Sequence, residues 1–184
     1  MIYFWSDTHF NHAKIIDFAT RGDANVETMN ERLISNWNTI GKRDTIWFLG
    51  DFGFHPKSGE GYSLTNIFKA LNGIKCLVVG NHDERNPEVL KLPWDRVEKL
   101  YTVKDNGMRA EVCHYPLETW KAAAHGALML HGHSHGTLQR KLPHRFDVGV
   151  DCFPAPISFI ELWERAKKQT FEVVDHHRGK EEEL

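Results

Sequence analysis

The chain has 184 residues, 41% hydrophobic and 26% charged, the composition of an ordinary globular protein rather than a disordered or fibrous one. Lysine and arginine total 23 against 25 aspartates and glutamates, a formal net charge of -2, which argues against a protein that holds nucleic acid mainly by bulk positive charge. A small basic patch beside a site remains compatible with that balance.

Ile2 to Ser6 (IYFWS) is a short apolar run that predicts a buried strand. Val26, Met29, Leu33, Trp37 and Ile40 recur at spacings of three and four, one face of an amphipathic helix with Asn25 as its N-cap. Thr45 to Leu49 (TIWFL) predicts a second strand, ending at Gly50. Leu64, Ile67, Phe68 and Leu71 mark another helix, capped by Ser63 and stopped by Gly73. Ile74 to Val79 (IKCLVV) predicts a third strand, ending at Gly80. Arg109 to Cys113 and Ala127 to Leu130 are apolar and bracket a short helical stretch from Pro116. Arg145 to Val150 alternates, with Phe146, Val148 and Val150 on one face of a half-buried strand. Ser158 to Lys168 predicts a final helix and Thr170 to Val174 a final strand. The polar tail, 176–184, is expected to be solvated, leaving a single domain over 1–175. Strands alternate with helices early and crowd together later, which favours an α/β architecture.

Cys76, Cys113 and Cys152 cannot close a disulfide framework and lack zinc-knuckle spacing, so they are expected to be reduced core residues. No apolar run reaches the roughly 18 residues of a membrane span. MIYFWSDTHF lacks the basic region and cleavage site of a signal peptide. The expectation is a cytoplasmic protein, with no membrane partner and no indication of oligomeric state.

The informative residues follow the strands. IYFWS is followed by Asp7 and His9, and TIWFL-Gly50 by Asp51. IKCLVV-Gly80 is followed by Asn81, His82 and Asp83. Cys113 is followed by His114, and ALMLHG by His133 and His135. One aspartate after one strand would be a turn former, and one loop histidine merely exposed. Five strands ending this way would, if largely parallel, bring carboxylate, imidazole and amide oxygen to one sheet edge, where α/β sites form. The glycines before Asp51, Asn81 and His133 permit close approach. Carboxylate, imidazole and amide without thiolate suit Mn²⁺, Fe or Zn²⁺. Seven candidate ligands exceed one tetrahedral ion and suit two ions sharing a bridge.

These blocks resemble the calcineurin-like metallophosphoesterase superfamily. They run in order as Asp7-Thr8-His9, Gly50-Asp51, Gly80-Asn81-His82-Asp83, His114 and Gly132-His133-Ser134-His135. The start Asp7-Thr8-His9-Phe10-Asn11-His12 and the small size look like its compact single-domain bacterial and phage members. The resemblance implies a four-layer αββα sandwich, two mixed sheets flanked by helices. It implies one divalent ion on Asp7, His9, Asp51 and His135, and another on Asp51, Asn81, His114 and His133, with Asp51 bridging. Mn²⁺ is the first expectation, with Fe, Zn²⁺ or Ni²⁺ as alternatives. The implied activity is phosphoester hydrolysis by a bridging hydroxide, with His82 serving the leaving oxygen. Phosphodiesters, small or nucleotide-type, are expected ahead of monoesters, and nucleic acid is not indicated by charge. A non-catalytic scaffold of the same fold is the rival from another class. Asp83 is expected to orient His82, with turn or helix capping as the alternative. Asn11, His12 and Arg21 are the candidates for touching substrate phosphate, Arg21 through its planar fork. His55 is a candidate for contacting ligands from behind and His131 for either that or a place in the core, whereas His125, His144, His176 and His177 are read as surface residues.

Overall fold

A computed structural model describes residues 1–56 and 62–170. Strands β1 (Ile2–Trp5), β2 (Thr45–Phe48), β3 (Ile74–Val78) and β4 (Arg96–Glu98) run parallel in one sheet. Antiparallel β9 (Ile157–Ser158) completes its far edge beside β1. The second sheet has the order β5 (Leu100–Asp105), β6 (Met108–Cys113), β7 (Leu128–His131) and β8 (Arg145–Asp147), antiparallel at β5–β6 and parallel thereafter.

The apolar runs show little polar alternation because the first sheet is buried on both faces. Trp5, Ile46, Phe48 and Leu77 pack against helices, while their neighbours Phe4, Trp47, Leu49 and Val78 pack against the second sheet. On the helical side lie α1 (Ala13–Phe18), α2 (Val26–Trp37), α3 (Leu64–Ala70) and α4 (Pro87–Lys91). Asn25 caps α2 by accepting from the Thr28 amide, and Ser63 caps α3 by accepting from Asn66, each stabilising a helix start by about 1 kcal/mol. Helix α5 (Phe159–Ala166) packs Phe159, Leu162 and Ala166 into the core between the sheets.

Two mixed sheets with flanking helices are therefore present, but the layer outside the second sheet is thin. The helical stretch expected from Pro116 is irregular chain with one 3-10 turn at Ala123–His125, whose left-handed entry and exit at Ala122 and Gly126 confine it. Trp120 and Ala123 from this segment cover Met129 of β7. The strand expected over Arg145–Val150 ends at Asp147, and beyond it Gly149 makes an isolated parallel bridge with Ser6. Cys76 is buried, but Cys152 is exposed and is not a core residue. The strand expected over Thr170–Val174 and the tail containing His176 and His177 fall on 171–184, outside the described residues. Among the described residues no helix is long and apolar enough to cross a membrane.

Candidate metal centre

Parallel register brings the strand ends into line. Ile2–Trp5 pairs in step with Thr45–Phe48, and Thr45–Phe48 with Ile74–Leu77, so the Asp7, Asp51 and Asn81 loops leave the same edge. In the second sheet Ala110–Val112 pairs with Leu128–Leu130, which sets His114 beside the His133 loop. The loops are tied by backbone bonds from Asp7 N–H to Gly50 O, from His9 N–H to Asp51 O and from Gly132 N–H to His114 O, each 3.0 Å. Asp7, His9, Asp51, His133 and His135 all have φ between 46° and 66°. The left-handed region is costly for such residues and persists where surrounding structure enforces it, commonly at functional sites. Two glycines permit the crowding. A Cβ on Gly80 would collide with the Asp51 carboxylate, and one on Gly132 with that of Asp7.

Two sets of donor atoms result. Asp7, His9 and His135 form one, with Asp7 Oδ1 4.0 Å from His9 Nε2 and 3.9 Å from His135 Nε2. Asp7, Asp51 and His114 form another, with Asp51 Oδ2 3.5 Å from His114 Nε2. Asn81 Oδ1 joins the second, 3.0 Å from both His114 Nε2 and His133 Nδ1. Asp51 Oδ2 is also 3.7 Å from His9 Nε2 and so touches both sets, as a bridging ligand would. Most of these separations are long for hydrogen bonds. They suit atoms sharing an ion, because ligands each about 2.1 Å from one cation stand roughly 3–4 Å apart. His9 is buried with neither ring nitrogen hydrogen-bonded, a costly arrangement that a cation relieves. The residues present therefore fit divalent metal.

Electrostatics agree. Burial pushes Asp7 up to about 7, against the opposing pull of His114 and His135. Burial also acts to raise Asp51, but adjacent His114, His9 and the His82 amide hold it down at about 2. His114, although buried, is lifted to about 9 by Asp51 and Asp7. Burial drives His9 well below its ordinary range, only partly opposed by Asp51. A bound cation would take the place of the proton that Asp7 and His114 favour, neutralise the Asp51 charge and accept from the neutral His9 ring.

His82 lies beside the donor sets. Its ring is 42% exposed, with Nε2 3.9 Å from Asp51 Oδ2. The ring of Phe54, which the sequence reading did not single out, packs against His82 at 5.2 Å, His12 at 4.5 Å and His9 at 6.0 Å. His12 thus stands at the site's margin.

Other expected roles change. Asp83 is buried and does not orient His82. Its carboxylate accepts from the amides of Asp51 (2.8 Å), Phe52 (2.9 Å) and Gly80 (2.9 Å), clamping the loops after β2 and β3. Arg21 is not a free phosphate fork, because its side chain is 2% exposed and fully engaged. Nε and Nη2 donate to Asp151, Nη1 to Thr8 O and Met29 Sδ, and Nη2 also to Asp7 O. Asn11 is likewise occupied: Nδ2 donates to Phe54 O and Tyr62 O, while Oδ1 accepts from Asn30 Nδ2. His55 pairs with Glu88 at 2.7 Å, away from the donor sets. His131 is buried beside Gly132 O, in keeping with a place in the core, whereas His144 is half-buried rather than superficial.

Asp151 was missed. Its Oδ2 lies 2.6 Å from His135 Nδ1, leaving His135 Nε2 to face Asp7. A carboxylate behind an imidazole fixes the ring's orientation and raises its basicity. The only sequence hint was an aspartate just after the Arg145–Val150 run.

The model of the calcineurin-like phosphoesterase family matches residues 1–183. An uncharacterized protein of Methanocaldococcus jannaschii is 34% identical over 135 residues, covering 73% of this chain and 69% of that protein. The Gene 66 protein of Mycobacterium phage L5 is 27% identical over 192 aligned positions, covering 88% of this chain and 92% of its own. Among solved structures, a protein of unknown function from Aquifex aeolicus has a TM-score of 0.69 at 28% identity, covering 90% of this chain and 98% of that one.

Proposed function

The chain belongs to the calcineurin-like phosphoesterase family and is a phosphoric ester hydrolase, and from that premise we propose that it cleaves small or nucleotide-type phosphodiesters with two divalent cations, Mn²⁺ foremost. The observation that carries this reading is the position of Asp51 Oδ2, within 3.7 Å of His9 in one donor set and 3.5 Å of His114 in the other. Asp7, His9, Asp51, Asn81, His114, His133 and His135 would hold such cations, whose chemistry would be to acidify a coordinated water and draw charge from the phosphoryl oxygens. Asp7 and Asp51 are the two carboxylates among the assigned ligands, so a pair of divalent ions leaves the site net positive toward an anion. His82, half-exposed and outside both sets, gives a proton to the leaving oxygen or stabilises charge on it. His12 meets the phosphate from the same side, both rings being held on Phe54.

The edge is also flanked on two sides, as a diester with two substituents requires. Exposed Tyr115 packs edge-on to His133 at 4.8 Å, while a groove opens past His133 and His135.

The test is turnover of phosphomonoesters and diesters, including 2′,3′- and 3′,5′-cyclic nucleotides, by metal-depleted protein reloaded with Mn²⁺, Ni²⁺ or Zn²⁺. Diester turnover should exceed monoester turnover and vanish on chelation. Preference for monoesters would make it a phosphatase, and turnover that survives complete metal removal would refute the two-cation proposal.

A further inference from the structure

The groove beside the donor sets has a volume of about 710 Å³, and His133 and His135 are part of its lining. Ile15 and Phe18 of α1 line it, together with Leu138, Gln139 and Arg140 from the segment after the histidines. Phe18 is 78% exposed, the most exposed large apolar side chain among the described residues. The fold does not need a phenyl ring there, because α1 is anchored in the core through buried Ile15. One exposed ring is ordinary by itself; a concave groove that sets it beside metal-ligand residue types is the usual form of a ligand site.

The chemistry of the lining narrows the occupant. Apart from the histidines, Arg140 is the charged residue of the groove, and its guanidinium is paired with Glu118 at 2.6 Å. The groove thus offers an anionic group one cation, already shared with an exposed carboxylate, which favours a neutral occupant over a second anionic one. Phe18 and half-buried Leu138 offer an apolar surface, which a sugar alone does not match. Exposed Gln139 donates to Thr137 O at 3.2 Å through one amide N–H, and an amide has further donor and acceptor capacity that an acyl chain or bare aryl ring does not use. Because the groove shares His133 and His135 with the donor sets, an occupant there is within reach of a phosphorus held on that edge.

We infer that the groove is the subsite for a nucleoside, its base lying against Phe18 and its polar edge meeting Gln139 while the attached phosphate sits on the metal-ligating edge. This rests on the phosphodiesterase reading and deepens it by naming one ester substituent. Base–aromatic contact tolerates every base, so the subsite selects nucleosides as a class rather than one sequence.

Calorimetric titration of Mn²⁺-loaded protein with inorganic phosphate, ribose 5-phosphate, phenyl phosphate, 5′-AMP and 3′-AMP tests it. At least one AMP isomer should bind roughly tenfold more tightly than the other three compounds, the order that base stacking supplies. Phe18→Ala, at an exposed position, should erase that advantage and leave phosphate affinity unchanged, and Gln139→Ala should reduce it in part. Phenyl phosphate or ribose 5-phosphate binding as tightly as AMP would overturn the nucleoside assignment. So would AMP affinity indifferent to Phe18→Ala. Each of these leaves the hydrolase reading standing if phosphate still binds, whereas failure of phosphate itself to bind would bring down both.

Discussion

Asp151 and His82 would act on this site in two different ways. Asp151 acts through His135, whose Nδ1 it holds at 2.6 Å, and is itself held by Arg21 through two bonds of 2.9 and 3.0 Å. Asp151→Asn keeps the shape and removes the charge, so Arg21 stays buried with a weakened partner and His135 becomes a poorer donor. The expected result is a roughly 10- to 100-fold loss of affinity for one ion, the usual effect of losing such a partner, with the other ion retained. Mn²⁺ titration of the variant decides it, and two unweakened sites would show that Asp151 does not position His135. His82, outside both donor sets, behaves oppositely: His82→Ala should keep both ions while kcat falls by ~10²–10⁴. Metal analysis alongside turnover checks this, and loss of an ion would make His82 a ligand. The candidate ligand types were readable because each follows an apolar run in sequence. The partnership of Arg21 with Asp151 was not, because 130 positions separate them and nothing local marks an arginine as already engaged.

Elements were legible in proportion to how much apolar surface they bury. Strands β1 to β3 are buried on both faces and announce themselves as apolar runs, and α2 shows a full helical stripe. Short α1 and α4 and exposed β4 carry too few buried residues to set a period. Strand β5 has one fully buried side chain, Val103, yet its hairpin with β6 had a readable signal in Asn106-Gly107, both at positive φ. Between elements, Asp83 does what no strand pattern could disclose: one carboxylate joins the loop after β2 to the loop after β3 through three buried amides. An unsatisfied buried donor costs about 1–3 kcal/mol. Asp83→Ala should therefore lower stability by several kcal/mol in chemical denaturation, with Asp83→Asn intermediate because it retains one acceptor oxygen. A denaturation midpoint unchanged in Asp83→Ala would mean that the clamp is not holding the loops.

Across the molecule, the donor sets draw on both sheets. Asp7, His9, Asp51 and Asn81 come from the first sheet's strand ends, and His114, His133 and His135 from the second's. Cations bound between them add to global stability by the free energy of binding to the folded state alone. That contribution depends on pH in a direction the buried groups fix. In chelated protein, His114, despite its burial, is raised by Asp51 and Asp7 to about 9 from 6.5. A folded-state pKa above the unfolded value stabilises fully below 6.5 and is lost as pH rises through 9. His135, half-buried, is likewise raised by Asp151 and Asp7 against the effect of its burial, and it acts in the same sense. Asp7, raised by burial to about 7 from 3.8, has made its loss by the middle of that range. His9 opposes them only at lower pH, since above 6.5 it is neutral folded and largely neutral unfolded. In loaded protein the imidazoles are already deprotonated, and proton competition for them fades as pH rises. The difference in Tm between Mn²⁺-loaded and EDTA-treated protein should therefore widen from pH 6.5 to pH 9. Differential scanning calorimetry at the two pH values measures it, and a gap that stays constant or narrows would mean that His114 and His135 do not hold the ions.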